Sequence, residues 1–404
     1  MEAVAIGIYV TNLTHQAGWT GLVAAAGFLP GGVLGPVGGA LADRIPRKRL
    51  LLTTTSVQTV LAGILTYLAA TGEPAPAVVV LIVFLSGCAN ALGFPTYQAV
   101  LPDLVPRDQI VGAVALSTAQ WNLGRVIGPA LAGIVIAAGG YAWVFAINTV
   151  SFFAVIAAIS ILHLPPPHHD GSSILRAIRQ GVAYVRRDPG LRVVTGYMLI
   201  NTFLAAPFIA LVPYMSIEVL HAGTGGTGLL VTLQGIGAVI MALSLAWLAA
   251  RFTSRRVMLA ALWTLPVVLA LYGVMPNLAL TAVMIFLVGL VYFGALSSFM
   301  SIAQLRSPAA IRGRVVSLLA VILGVLYPIG SVIQGNLADV IGLRQVTVLA
   351  GALMMVALVV MRLRNPRFAD ALEEPPAPLD PGATTAGTDG ASVDGIPLPS
   401  ADPS

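Results

Sequence analysis

The sequence is poor in the residues that disulfide-rich proteins and soluble enzymes depend on. Its one cysteine, Cys88, lies in an apolar run, so a disulfide framework and a thiolate metal site are excluded. Charged residues make up only 9% of the 404 residues, against roughly 25% in soluble domains. The single lysine, Lys48, lacks the G-x-x-x-x-G-K-[ST] surroundings of an ATP-driven pump. The apolar runs also lack the paired acids or His-Asp cluster that a membrane-embedded prenyl or acyl transferase would need.

Apolar residues dominate instead. They account for 57% of the chain, and the mean hydropathy is +0.91. We predict an all-α membrane protein with spans near residues 20–41, 50–70, 77–98, 111–138, 142–162, 193–219, 228–250, 257–274, 278–303, 315–338 and 346–361. A further apolar segment, 1–11, would cover roughly 16 Å, about half of a hydrocarbon core. We therefore expect twelve transmembrane helices, the first having lost its N-terminal half through truncation or a misassigned start.

The basic residues lie between the spans and not in one basic domain. With alternate loops assigned to one side, all but two of the 21 Lys and Arg residues fall together. The exceptions are Arg125, inside a span, and Arg344, on the other side. This asymmetry predicts that the basic loops and the C-terminus are cytoplasmic. It explains the high pI through membrane topology, without a nucleic-acid partner.

The hydrophilic segments divide the chain into two six-helix halves, residues 1–163 and 192–363. The linker between them, 164–191, is predicted to contain an amphipathic helix on the inner membrane surface. The halves repeat: Gly133 and Gly140 match Gly335 and Gly342 at one constant offset. Two tandem halves around a midplane cavity are typical of a rocking transporter. Residues 364–404 are acidic and rich in proline, which predicts a disordered cytoplasmic tail.

A short basic turn joins the second and third helices. It comprises Gly39, Asp43, Arg44, Arg47 and Lys48. An acid at the cytoplasmic end of a span can face the positive N-terminus of a neighbouring helix and pair with loop arginines. Asp43 and Arg44 would then latch the two halves together on the inner side. The alternative is that the cations only set topology, although topology does not require Asp43.

The fifth span carries a Gly-Pro break within a glycine-spaced stretch. Gly128 and Pro129 interrupt its backbone hydrogen bonds, while Gly124 and Gly133 permit close packing. This pattern predicts a bent, tightly packed helix that limits leakage between the halves. An ordinary kinked span would have the same sequence.

Two charged residues at membrane depth are the candidates for transport and coupling. Arg125 is predicted to lie near mid-bilayer, where a charge costs about 2.5 to 3.5 kcal/mol on translocon scales unless it faces a cavity and has a partner. It could hold an anionic or carbonyl-bearing substrate, or favour the ionised form of a nearby carboxylic acid. The alternative is a structural anchor for Asn122 or a backbone carbonyl. Glu2 is predicted at a similar depth, either as a proton carrier paired with Arg125 or as an exposed terminus.

Three other titratable residues fall at outer span ends in this topology. Glu218 and His221 are predicted to be surface groups. Asp339 mimics the basic-turn motif on the wrong side of the membrane, so we interpret it as a decoy. Uncharged polar residues at membrane depth are Asn90, Gln120, Asn122, Asn148, Asn201 and Gln234. Each could line the path or form a hydrogen bond between helices.

Several motifs resemble those of the major facilitator superfamily (MFS). Residues 35–49 are similar to its loop 2–3 signature, with Pro46 where the family often has Gly, and residues 124–133 resemble the fifth-span motif of its proton-driven exporters. Residues 101–107 and 311–315 resemble the macrolide-efflux and enterobactin-exporter-like branch. The resemblance implies the MFS fold and efflux of small amphiphilic molecules by alternating access with proton antiport. It also implies that Asp43 and Arg44 form an inner latch.

The resemblance leaves the substrate open. A lysophospholipid transporter, or a non-transporting membrane sensor or scaffold, would have the same fold. We expect a monomer in the cell membrane that uses a proton gradient, with a small-molecule substrate, no cofactor and no metal.

Overall fold

The computed structural model describes residues 1–162, 164, 174–364 and 370–372. Within these ranges all regular structure is helical. Eleven of the described helical segments are long and apolar enough to cross a membrane. A shorter helix of 13 residues precedes them. The all-α membrane fold predicted from the sequence is confirmed.

The first six helices pack together as the N-terminal half. They are α1 (Glu2–Thr14), α2 (Ala17–Arg44), α3 (Arg47–Thr71), α4 (Pro76–Val100), α5 (Ile110–Gly139) and α6 (Tyr141–Ile161). Two short 3-10 turns, Leu101–Leu104 and Arg107–Gln109, connect α4 to α5. We call the end of the bundle at which α2 meets α3 the basic end, and the end at which α1 meets α2 the opposite end.

The linker helix and the C-terminal half follow. They comprise α7 (Ile174–Arg187), α8 (Pro189–Ile200), α9 (Phe208–Tyr214), α10 (Gly223–Phe252), α11 (Ser254–Val274), α12 (Leu278–Arg306), α13 (Ala309–Ile341) and α14 (Leu343–Arg364). Helix α7 packs against α13. The rest of the predicted linker, at 165–173, and most of the predicted tail lie outside the described residues. The described part of the tail is a 3-10 turn at Asp370–Leu372.

Glycine permits the tight turns that reverse the chain at equivalent places in the two halves. Gly140 ends α5 at φ 83° and Gly342 ends α13 at φ 89°. This left-handed region is costly for residues with a β-carbon. The two glycines are the pair that the repeat in the sequence matches.

Each half has its own buried core. The larger cluster lies in the C-terminal half and includes Tyr197, Tyr292 and Phe299. A second cluster, around Ile8 and Phe145, lies in the N-terminal half. Most members of each cluster therefore come from one half.

The span predicted at 193–219 is less regular than its sequence suggests. It consists of α8 and α9 with π-helical turns at Asn201–Ala205 and Met215–Val219. Pro207 lacks the N–H that would bond the Phe203 carbonyl. The side chain of Gln334 on α13 instead donates from Nε2 to the carbonyl oxygens of Phe203, at 3.1 Å, and Leu204, at 3.0 Å. A side chain of α13 thus binds two backbone carbonyls of this broken span.

Candidate translocation site

A cavity of about 590 Å³ lies between the two halves. Apolar and aromatic side chains form most of its wall, including Phe28, Trp121, Phe152 and Tyr327. The polar side chains in the wall are Glu2, Thr20, Gln58, Ser86, Asn90 and Gln234. A largely apolar space with scattered hydrogen-bonding groups suits an amphiphilic ligand.

The halves touch closely along α2 and α13 toward the opposite end. A β-carbon built on Gly335 would lie 2.6 Å from the carbonyl oxygen of Ala17, and one on Gly21 would lie 2.3 Å from that of Ser331. Nearer the middle, Gly32 and Gly324 are so close that a β-carbon on Gly324 would lie 2.4 Å from Gly32 Cα. We call this contact the α2–α13 seam. Only glycine allows the two backbones to approach this far.

A second seam joins α5 to α10 and uses part of the fifth-span motif. A β-carbon on Gly228 would lie 3.2 Å from the carbonyl oxygen of Pro129, and one on Gly133 would lie 3.7 Å from Gly228 Cα. Gly128 packs instead against the start of α1, with its β-carbon position 3.0 Å from the Met1 nitrogen. Gly124, one turn closer to the basic end, has no such neighbour within 4 Å.

Toward the basic end the halves separate. Gly35 and Gly39 follow Gly32 at helical spacing on α2, yet a β-carbon on either would meet nothing within 4 Å. The gap between the halves therefore opens at the basic end and is closed at the opposite end.

Glu2 lies in the wall of the cavity, on the first turn of α1. Its Oε2 accepts a hydrogen bond of 2.8 Å from Nδ2 of Asn148 on α6. It is the one carboxylic acid among the described residues that line the cavity. Glu2 and Arg125 are both described, and no ion pair joins them.

Arg125 has an aromatic partner across the second seam. Its Cζ lies 4.3 Å from the centroid of the Phe293 ring on α12. A guanidinium over a ring face gains a cation–π attraction that grows as water is excluded. Arg125 of the N-terminal half thus contacts the C-terminal half.

The predicted polar residues are divided between several environments. Asn122 donates to the Thr118 carbonyl of its own helix at 2.9 Å. Asn90 and Gln234 line the cavity, while Gln120 does not. Asn201 is fully buried, and its side-chain amide has no hydrogen-bond partner. Gln58 and Ser86, which the sequence analysis did not select, also line the cavity.

The cations of the basic turn bind within the N-terminal half. Arg47 Nη1 forms an ion pair with Asp103. Lys48 Nζ donates to the carbonyl oxygens of Ser160, at 2.6 Å, and Leu162, at 3.0 Å, at the end of α6. Arg44 is exposed, and the side chain of Asp43 lies outside the described part of the structure.

At the opposite end, charged side chains join the two halves. Asp339, on α13, accepts hydrogen bonds from the backbone N–H groups of Ala17, at 2.6 Å, and Gly18, at 2.8 Å. Glu218 Oε1 accepts a hydrogen bond from His15 Nδ1 at 2.7 Å. The sequence predicts neither contact, because its pattern indicates a decoy at Asp339 and a surface group at Glu218. The one available signal was that each acid falls at the end of a span.

Comparison with known proteins places the chain in a family. The family model described as transmembrane secretion effector matches residues 1–383. Macrolide efflux protein A of Streptococcus pyogenes is 25% identical over 376 residues, covering 90% of this chain and 91% of that protein. The multidrug efflux pump Tap of Mycolicibacterium fortuitum is 28% identical, covering 86% and 87%. The enterobactin exporter EntS of Shigella boydii serotype 18 is 29% identical, covering 77% and 75%.

Solved structures agree on the fold. The nucleoside transporter NupG superposes with a TM-score of 0.70 at 13% identity, covering 90% of this chain and 94% of that one. A bacterial homologue of the human lysosomal transporter Spinster, crystallised inward-facing and unoccupied, also gives 0.70 at 13%, covering 92% and 95%. The chain therefore belongs to the transmembrane secretion effector family and is a multi-pass membrane transporter of the major facilitator superfamily, not an enzyme.

Proposed function

We propose that this transporter exports small amphiphilic molecules across a bacterial cell membrane by alternating access. The observation that carries the proposal is a mostly apolar cavity between two halves that meet closely at one end and part at the other. Such a cavity can load from one side only in each conformation. The names of the relatives, which include macrolide, multidrug and enterobactin exporters, favour outward transport.

The distribution of cations gives the orientation. The basic end carries Arg44, Arg47, Lys48 and Arg49, and the positive-inside rule assigns such loops to the cytoplasm. The last residues of α14 lie at the same end, next to the Asp370–Arg255 ion pair. In this orientation the conformation with the basic end open is inward-facing and is ready to take up substrate from the cytoplasm or the inner leaflet.

Glu2 is the residue we assign to proton coupling. A carboxylic acid in the cavity wall can bind either a proton or the polar group of a substrate, and competition between the two would couple their movements. The hydrogen bond from Asn148 orients the carboxylate without neutralising it. The contact between Arg125 and Phe293 joins the two halves, so the same movement of the halves would change it.

The basic turn would close the inner side in the other conformation. Ala17 lies against Gly335 and Gly32 against Gly324, so α2 and α13 run antiparallel. Eleven residues beyond Gly32 is residue 43, and eleven before Gly324 is residue 313, near the start of α13. In the proposed alternative conformation the basic ends meet, residue 43 lies opposite the N-terminus of α13, and Gly35 and Gly39 leave room for that approach.

The test is substrate-dependent proton movement in proteoliposomes. Erythromycin, ethidium, a catecholate siderophore and a lysophospholipid serve as probes for the substrate classes that the fold allows. Glu2→Gln should lower substrate-driven proton flux at least tenfold and leave substrate exchange without a gradient intact. Glu73→Gln removes an exposed acid outside the cavity and serves as the matched control.

Full proton flux in Glu2→Gln would overturn the coupling assignment. Movement of the lysophospholipid alone would replace drug or siderophore efflux by lipid transport. No movement of any probe would favour a sensor or scaffold of the same fold.

A further inference from the structure

The N-terminus of α2 receives its cap from the other half of the molecule. The first N–H groups of a helix have no partner within the helix. Gln16, at the position that usually supplies a side-chain cap, makes no such bond. The carboxylate of Asp339 instead accepts from the N–H groups of Ala17 and Gly18, at 2.6 and 2.8 Å.

The geometry of this contact depends on a glycine. A β-carbon on Gly18 would lie 2.7 Å from Asp339 Oδ2 and 3.0 Å from Asn336 Oδ1. The carboxylate would have to move away, and both hydrogen bonds would lengthen. Gly18 is therefore what lets a side chain of α13 reach the end of α2.

A second side-chain contact at this end reinforces the same junction. His15, in the turn before α2, pairs with Glu218 at the end of the broken span that contains α8 and α9. His15 belongs to the N-terminal half and Glu218 to the C-terminal half. The Asp339 contact also combines an anion with the positive end of a helix, an arrangement that stabilises the anion.

We infer that Asp339 is a positioning residue of the transport cycle, which holds the opposite end closed by capping α2 from the C-terminal half. Parting of the halves at this end separates Asp339 from Ala17 and Gly18 and returns all three groups to water. The contact therefore adds stability to the conformation with the opposite end closed and none to its alternative. This inference rests on the proposed alternating access, but its test needs neither substrate nor proton flux.

The test measures distances between spin labels by double electron–electron resonance, in a Cys88→Ala background. The pair Thr71→Cys and Pro276→Cys reports the opposite end, and the pair Val111→Cys and Leu305→Cys reports the basic end. All four positions are exposed. Asp339→Ala should raise the population with a longer opposite-end distance about fivefold, a factor typical of losing a side-chain cap.

Two further variants sharpen the result. Asp339→Asn keeps one acceptor oxygen and should shift the population less than Asp339→Ala. Gly18→Ala keeps the Asp339 carboxylate but puts a methyl group where that carboxylate binds. It should therefore also raise the population with the longer opposite-end distance. Glu73→Gln removes an exposed acid at the same end and should leave both distances unchanged.

The basic-end pair separates this effect from misfolding. If Asp339 holds the opposite end closed, Asp339→Ala should shorten the basic-end distance as it lengthens the opposite-end distance, because the halves rock as bodies. Unchanged distances in both Asp339→Ala and Gly18→Ala would overturn the inference. Broadening of both distance distributions without a shift in population would do so too, since it would mean that Asp339 only supports the fold. A clear shift without any proton coupling would leave the latch standing and would count only against the proposed antiport.

Discussion

The two ends of the molecule use charge in different ways. At the opposite end, Asp339 and Glu218 bind partners in the other half. At the basic end, Lys48 binds the end of α6 and Arg306 binds Asp188, each within its own half. Contacts of the first kind oppose separation of the halves, whereas contacts of the second kind join no residue of one half to the other and do not oppose it.

Backbone packing shows the same contrast along α2. Gly21 and Gly32 lie in tight contact with α13, whereas Gly35 and Gly39 have open space before them. Helix α2 thus has glycines for two contacts. Gly21 and Gly32 make the contact with α13 that is present in this conformation, and we assign Gly35 and Gly39 to a contact in the other conformation.

The largest effect is expected from breaking the buried ion pair within the C-terminal half. Arg306 donates from Nε to Asp188 Oδ1 at 2.9 Å and from Nη2 to Oδ2 at 3.0 Å. Their side chains are 7% and 0% exposed. Asp188→Asn removes the carboxylate charge that binds the buried Arg306 guanidinium and should lower stability by about 3–5 kcal/mol.

The measurement is thermal unfolding in detergent. Asp370→Asn is the matched control, because it removes the acid of an ion pair with Arg255 in which the Asp370 side chain is 55% exposed. An exposed pair contributes little. An equal loss of thermal stability in the two variants would show that the buried Arg306–Asp188 pair stabilises this half no more than the exposed pair does.

A smaller effect is expected from forcing the α2–α13 seam apart. Gly21→Ala places a β-carbon 2.3 Å from a backbone oxygen that cannot rotate away. Such overpacking typically costs about 1–3 kcal/mol, so the opposite end should open in the distance measurement. Gly31→Ala makes the same change on the same helix where nothing lies within 4 Å, and should change nothing. A closed opposite end in Gly21→Ala would contradict the proposed role of the seam.

Gly39→Ala tests the basic end of α2, where the halves are apart in this conformation. It should leave stability and both label distances unchanged, because a β-carbon meets nothing within 4 Å. Transport in proteoliposomes should nevertheless slow severalfold if the basic ends must approach closely in the other conformation. Unchanged transport would show that Gly39 is not part of the inner closure.

The smallest effect is expected at Lys48. Lys48→Met removes the cation that donates to two carbonyl oxygens at the end of α6, where a positive charge is favourable. Stability in detergent should fall by about 1 kcal/mol. The distance between the halves at the basic end should not change, since both bonds lie within one half. A change in that distance would instead show that Lys48 takes part in the closure of the basic end.

Fold class could be predicted because its signals are local. Long apolar runs, their short polar connections and the one-sided distribution of cations each depend on neighbouring residues only. The same signals identified Glu2 and Arg125 as unusual charges at membrane depth. These local signals do not predict the π-helical turns in the span around Pro207. The Gln334 side chain that binds the carbonyls of that span comes from a distant helix.

The all-α membrane fold with its two halves thus follows from composition and repeat alone, since transfer of backbone into lipid leaves few other solutions. The partners of the charged residues do not follow from them. Glu2 binds Asn148 and not Arg125, and Asp339 caps a helix whose first residue lies 322 positions earlier in the chain. Whether such groups meet depends on how the two halves are packed, because hydrogen bonds require contact at about 3 Å and no local pattern records that distance.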